Sequence, residues 1–204
     1  KGRTVNMVSP ASIVYYGLAL SLAKQGLSLK DIKTVDLGGP ETAGAFQKKD
    51  IDISLVFEPN ATLFQDQGLA VKWGQLTVDS GPLDISPVLY SEKWAKENPE
   101  LAKKFMVAYL KGHREYYTAV RKGPNRKEVI DIVINHTALK DAAMYEKMTW
   151  TSAPKEGAVD KESLRKLQDW LVQNGYQQNK VDIDSLVDNS YVLNANQVLG
   201  EFKP

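Results

Sequence analysis

The chain has 204 residues, of which 43% are hydrophobic and 25% charged, with a formal net charge of +1 and no cysteine. That composition is ordinary for a globular protein. The near-neutral charge, with scattered Arg and Lys, leaves no footprint for nucleic acid or an anionic membrane. Without cysteine there are no disulfides, thiolate metal sites or cysteine nucleophiles, and His113 and His136 alone do not make a histidine metal site.

No apolar run approaches the roughly 18–20 residues of a membrane span, and no signal peptide is visible. The chain opens Lys1-Gly2-Arg3, without an initiating Met and with a strand almost at once. It reads as a piece of something longer.

Thr4 to Val8 reads as a short apolar strand, Ser9-Pro10-Ala11-Ser12 as a tight turn, and Ile13 to Gln25 as a helix stopped by Gly26. Ser9 stands where an N-cap is wanted, and Pro10 is tolerated at the first helical position. A strand that runs straight into a helix N-terminus places free N–H groups and a positive dipole end at the sheet's carboxyl edge, where open α/β sheets bind ligands. Ser9 either caps this helix or faces such a ligand.

Lys33 to Leu37 reads as a second strand, closed by Gly38-Gly39-Pro40, and Glu41 to Lys48 as a short helix with an acidic first turn. Ile51 to Phe57 reads as a third strand. Glu58-Pro59-Asn60 follows, then a helix from about Ala61 to Gln67 ended by Gly68, then an extended segment from Val71 to Val78. Strands alternating with helices through short connections predict a mostly parallel sheet covered on both faces.

Past Gly81-Pro82 the pattern changes. Asp84 to Ser91 reads as a strand or crossover, and the chain beyond Glu92 is mostly helical. A long helix runs from Glu100 to about Arg121, with Leu101, Phe105, Ala108 and Val120 forming a stripe beside Met106 and Tyr109. Arg126 to Asn135, Lys140 to Lys147, Lys161 to Gly175 and a stretch around Ser185 to Leu199 read as further helices. Leu164, Leu167, Trp170 and Leu171 form the buried side of the third of these. A lobe boundary falls between about Gly81 and Ser86.

The order GRTVNMVSP-A-S, then DIK.VDL..PE..GAFQ..DIDISLVFEP, VDSG, SEKWAKENPELAKKFMVAYLKG, VDKESLRKLQDWLVQNG and VDIDSLVDNSYV resembles the periplasmic solute-binding proteins of ABC importers. Within them it resembles those for sulfonates, nitrate, taurine and the thiamine pyrimidine precursor, from about Arg3 to Leu199. The resemblance implies a type II periplasmic-binding-protein-like fold, α/β and bilobal, with three-layer α/β/α lobes. Residues 1–83 would be the near-complete second lobe, and 84–204 the mostly helical C-terminal portion of the first. Roughly ninety residues of lobe one would be absent, and the chain would expose apolar surface where they belong.

It also implies a small organic solute (sulfonate, nitrate-like, pyrimidine or aromatic) captured between lobes and delivered to an ABC permease. The location would be periplasmic or otherwise extracytoplasmic, without cofactor or nucleic acid, and with membrane association only through the permease or an upstream lipid anchor. The ligand-contacting positions would be Ser9, Pro10, Ala11, Ser12, Pro40, Glu41, Thr42, Phe57, Glu58, Asn60 and Asp84. Pro10 removes a donor from a turn that is often Gly-Ser-Thr-like in the family, which leaves room for a neutral or aromatic ligand. Phe57 stands where the family usually has Trp and could stack on a ring. Glu58 either accepts from the ligand or caps the next helix. Asp84 and Ser86 serve the ligand or the hinge.

Two other readings share the architecture. One is the effector domain of a transcription regulator. The other is a pyrimidine-synthesis enzyme, whose cysteine-rich motif has no counterpart here. Tyr15, Tyr16, Tyr116, Tyr117, Trp94 and Trp170 read as packing, His113 as surface, and His136 as a helix-end cation. With no Ser/His/Asp set, Walker A loop or GxGxxG, nothing in the sequence points to catalysis.

Overall fold

The computed structural model describes residues 1–7, 9–76, 83, 86–151 and 153–204. They group into two compact units, 1–85 with 162–181, and 86–161 with 182–204.

The first unit is built on three parallel strands, β1 (Thr4–Asn6), β2 (Lys33–Val35) and β3 (Ile53–Ser54), in the order β2-β1-β3. Val5 pairs with Thr34 on one side and Ile53 on the other. Helix α1 (Ile13–Ala23) joins β1 to β2, with a 3₁₀ turn (Leu29–Asp31) before β2. Helix α2 (Gly39–Lys48) joins β2 to β3, and α3 (Asn60–Asp66) follows β3. The crossover from β1 to β2 and the one from β2 past β1 to β3 run in opposite directions, so the right-handed rule for parallel connections puts α1 and α2 on opposite faces of the sheet. Val5 and Met7, 2% and 3% exposed, anchor the core through the central strand.

Each strand is shorter than its apolar run. The run from Ile51 to Phe57 yields two residues of regular strand, although the amides of Asp52 and Leu55 extend the ladder to Thr4 and Asn6. The extended segment expected from Val71 joins no sheet over 71–76, and Val71 and Trp73 are almost fully exposed; 77 and 78 lie outside the described residues. Residues 86–91 likewise form no strand, and Asp84 and Ile85 lie outside the described residues.

Helix α1 starts at Ile13 as its periodicity predicts, but its cap is Ser12, not Ser9. Ala11 takes a left-handed φ of 69°, which turns the chain once more before the helix begins. Ser12 is therefore the extended residue whose Oγ accepts from the Tyr15 amide at 3.2 Å. Tyr15 and Tyr16 are buried. The helix Lys161–Gln173 (called α8 below), which returns to this unit from far along the chain, brings Trp170 within 5.9 Å and 5.5 Å of their rings. Its one buried side chain is Gln168, which clamps the following segment by accepting from the Val181 amide at 2.7 Å and donating to the Val181 carbonyl at 3.0 Å.

In the second unit the described residues are helical, with no strand. Its helices are α4 (Glu92–Glu97), α5 (Pro99–Val120), α6 (Arg126–His136), α7 (Ala142–Lys147), α9 (Ile183–Leu186) and α10 (Ser190–Leu199). Leu110 packs with Val192 and Ala195 of α10, and Ala119 with Val129, Ile130, Tyr145 and Trp150. The α5 stripe differs from the one predicted. Ala102, Leu110 and Ala119 are fully buried, while Leu101, Phe105 and Tyr109 face out. Two apolar stripes share this helix, and α10 takes the one with the smaller residues. His113 is not a free surface group: its Nε2 lies 2.7 Å from the Pro154 carbonyl.

Candidate functional site

Because the three strands of the first unit are parallel, their carboxyl ends and the loops that follow share one edge. The described residues of these loops are 7 and 9–12 after β1, 36–38 after β2 and 55–59 after β3. Between β1 and β3 the strand order reverses, which opens the crevice where parallel sheets hold their ligands. Nine of the positions named from the sequence lie on the loops or the first helical residues at this edge. A tenth, Thr42, lies one residue deeper in α2, and Asp84 lies outside the described residues.

One residue missed by sequence reasoning organises the edge. Asn6, the last residue of β1, is 2% exposed. Its Nδ2 donates to Thr42 Oγ1 at 2.8 Å and Ser54 Oγ at 3.0 Å, with Leu37 O at 3.4 Å, and its Oδ1 accepts from the Leu37 amide at 2.8 Å. A single side chain thus ties the end of β1 to the loop after β2, the first turn of α2 and the end of β3. A buried amide is costly unless its polar atoms are used, and here both are. Asn is disfavoured in strand interiors, and that was the signal available in the sequence.

In the β1 loop, Ser9, Pro10 and Ala11 are exposed. The Ser9 carbonyl accepts from the Ser12 amide at 3.2 Å, and the Ser9 hydroxyl lies 3.3 Å from the Pro10 carbonyl. With Ser12 Oγ and O taken by the Tyr15 and Tyr16 amides, the first two amides of α1, Ile13 and Val14, have no partner among the described residues. They carry the positive end of an 11-residue helix.

At the α2 start, Pro40 and Glu41 are exposed. The Glu41 carboxylate is turned back onto the Gly38 amide at 2.7 Å, half of a capping box. Thr42 is 1% exposed, and its hydroxyl donates to the Gly38 carbonyl at 2.7 Å while receiving the Asn6 amide. It is placed to hold the loop, not to meet a solute. Asn60 opens α3 close to Gly39: a Cβ on Gly39 would stand 3.4 Å from Asn60 Nδ2.

At the β3 loop, Phe57 is 55% exposed, next to a cis Glu58–Pro59 bond. Glu58 is mostly buried and spoken for, accepting from the Thr62 amide at 3.0 Å, the Thr62 hydroxyl at 2.8 Å and the Lys72 ammonium at 2.7 Å. Of its two sequence readings the geometry carries the cap. It also neutralises Lys72. Among the described residues no group of three His, Cys, Asp or Glu side chains could hold a metal ion, and no helix is long and apolar enough to cross a membrane. An open groove of about 430 Å³ between β2 and α2 shares only Glu41 with the expected positions. The edge therefore offers helix-end amides, hydroxyls and one exposed ring, with the carboxylates of Glu41 and Glu58 already engaged.

The model of the NMT1/THI5-like family matches residues 1–137. The chain belongs to this family. Several solved structures share its fold, among them three binding proteins of import systems. One is the periplasmic sulfonate-binding protein SsuA of a sulfonate ABC transporter from Methylobacillus flagellatus KT, with a TM-score of 0.70 and 19% identity over 98% of this chain and 61% of that one. Another is the periplasmic aliphatic sulphonate binding protein SsuA from Escherichia coli, with a TM-score of 0.63 and 20% identity over 95% of this chain and 64% of that one. The third is the ligand-binding component of an ABC-type import system from Staphylococcus aureus, solved with zinc bound, with a TM-score of 0.64 and 17% identity over 96% and 64%. The family member thus has the α/β periplasmic-binding-protein fold and spans under two thirds of the length of these neighbours. No curated protein matches the chain in sequence.

Proposed function

We propose that the chain is part of the substrate-binding component of an ABC importer, working outside the cytoplasm and handing a small organic solute to a permease. The observation that carries this reading is the amide pair of Ile13 and Val14, without a partner among the described residues, at the switch point of the sheet, in a chain whose structural neighbours are importer binding proteins. In this reading the first unit supplies one lobe of a two-lobed clamp. The solute's polar end sits on the Ile13 and Val14 amides, next to the Ser9–Ser12 turn, and its apolar part lies against Phe57. Pro40, Glu41 and Asn60 border it, and Thr42 and Glu58 hold the loops from beneath. The chain binds and does not catalyse.

Native mass spectrometry of the purified full-length product, repeated under denaturing conditions, tests this directly. A small mass seen only in the native spectrum supports the reading. A thermal-shift series with ethanesulfonate, taurine, nitrate, a hydroxymethyl-pyrimidine and benzoate then sorts the solute class. A ligand at a thousand times its Kd stabilises by about 4 kcal/mol. A bare protein that none of these compounds stabilises would sink the proposal.

A further inference from the structure

Helix α8 ends in a turn whose sequence carries covalent chemistry. Of the ten asparagines in the chain, only Asn174 is followed by glycine. Asn174 directly follows α8 (Lys161–Gln173), and Gly175, at a φ of 76°, takes the left-handed position that closes a helix. The Tyr176 amide donates to the Leu171 carbonyl at 2.9 Å and the Gly175 amide to the Val172 carbonyl at 3.2 Å. Asn174 donates twice to the Trp170 carbonyl, from its backbone amide at 3.0 Å and from Nδ2 at 2.8 Å. Both Asn174 and Gly175 are exposed, and nothing stands within 4 Å of the place a Gly175 Cβ would take.

Glycine has no side chain to hinder its own nitrogen, so that nitrogen can approach the Cγ of a preceding asparagine. In the closed turn the Gly175 amide is engaged with Val172, and the Asn174 side chain is held against Trp170. Attack therefore requires the last turn to open. An exposed helix end opens locally at far lower cost than the core unfolds.

We propose that Asn174 is a deamidation site, gated by opening of this turn, whose conversion loosens the aromatic cover of the first unit. The Gly175 nitrogen loses its proton to water and bonds to Asn174 Cγ, and the Nδ2 group leaves as ammonia, closing a cyclic imide. Water then opens the imide at either carbonyl, breaking one carbon–nitrogen bond. The product is aspartate, or its isomer in which the main chain runs through the side-chain carbon. One water is consumed and one ammonia released, with no change of oxidation state.

Either product removes the Nδ2 donor and sets a carboxylate at the negative end of α8, where it is unfavourable. The isomer also lengthens the main chain between α8 and Tyr176. The Tyr176 ring stacks on Trp170 at 5.6 Å and meets Tyr15 edge-on at 5.8 Å. The altered turn is thus the one that seats these rings against α1. The inference is independent of any solute.

The test ages the purified protein in warm, mildly alkaline buffer and locates conversion by mass spectrometry of its peptides. Aspartate and isoaspartate should accumulate at Asn174 about tenfold faster than at Asn179 or Asn189, which precede Lys180 and Ser190. In guanidinium, with the turn lost, the Asn174 rate should rise severalfold. The aged protein should unfold at a lower urea concentration than the fresh one. Asn174→Gln, whose longer side chain closes the ring poorly, should keep its midpoint through the same ageing. Equal rates at the three asparagines overturn the proposal. So does an Asn174 rate that guanidinium leaves unchanged, or an aged protein with the midpoint of the fresh one.

Discussion

Replacing Asn6 with Ala should cost the fold about 3–5 kcal/mol, far more than a strand-end substitution normally does. Three well-formed hydrogen bonds disappear, to Thr42 Oγ1, to Ser54 Oγ and from the Leu37 amide, each worth about 0.5–1.5 kcal/mol net. The Leu37 amide is then left without its acceptor, which adds about 1–3 kcal/mol if water does not reach it. Asn6→Asp restores only the acceptor and sets a buried carboxylate beside the Leu37 carbonyl, so it should not rescue the loss. Urea unfolding followed by tryptophan fluorescence gives both numbers. With domain stabilities of about 5–15 kcal/mol, Asn6→Ala should move the midpoint by a large fraction of its value at unchanged m. A loss below about 1 kcal/mol would refute the hub role and leave the three loops positioned by their own backbones.

Leu110→Ala, in the fully buried contact with Val192 and Ala195, should destabilise by about 2–5 kcal/mol, whereas Leu101→Ala on the exposed stripe of the same helix should stay within about 0.5 kcal/mol in the 204-residue chain; equal losses would contradict the assignment of the two stripes. Glu58→Gln keeps the shape but weakens the hold on Thr62 and Lys72, and should cost about 1–3 kcal/mol in urea titration, while Phe57→Ala should leave stability unchanged and weaken solute binding about tenfold or more by calorimetry. On the alkaline side, burial and then the Tyr176 hydrogen bond hold the Tyr15 hydroxyl up to about 12. Its unfolded counterpart ionises near 10, so the unfolded chain releases the proton first. This contribution, about 2–3 kcal/mol, is complete below pH 10 and lost as pH rises towards 12; Tyr15→Phe should flatten the urea midpoint over that window. At the acid end, the Thr4 amide and then Arg3 hold Asp52 below the usual carboxylate range, and the Ser28 amide and then Lys1 do the same for Asp31. The native state therefore takes up these protons later than the unfolded one, and stability should fall as pH drops below about 4.

The strand–helix alternation of the first unit was legible because its apolar runs, Gly breaks and the Glu41 first turn all speak to neighbours within four residues. What stayed hidden depends on partners far along the chain. Two serines and a proline precede α1, and only the left-handed Ala11 decides that Ser12 is the cap. Asn6 looked like one letter of a strand because Thr42, Ser54 and Leu37 are 31 to 48 positions away. The long helix α5 is apolar on two sides, and periodicity cannot say which one α10 takes. Strand lengths were overread for the same reason: an apolar run marks burial, but only a paired neighbour makes it a ladder. Sequence reasoning brought the named loops to one edge of the sheet. It could not tell the side chains facing outward, such as Phe57, from those consumed in holding the edge, such as Thr42 and Glu58.

The threading of the chain limits how this protein can be cut. It passes between its two units three times, near 85, 161 and 181, so neither unit is a continuous stretch of sequence. A fragment ending at the first passage keeps all three strands but loses α8, and with it the Trp170 ring that covers Tyr15 and Tyr16. Such a fragment would present two uncovered aromatic rings to solvent and be prone to aggregate. A soluble version of the first unit needs residues 162–181 grafted back through a short linker.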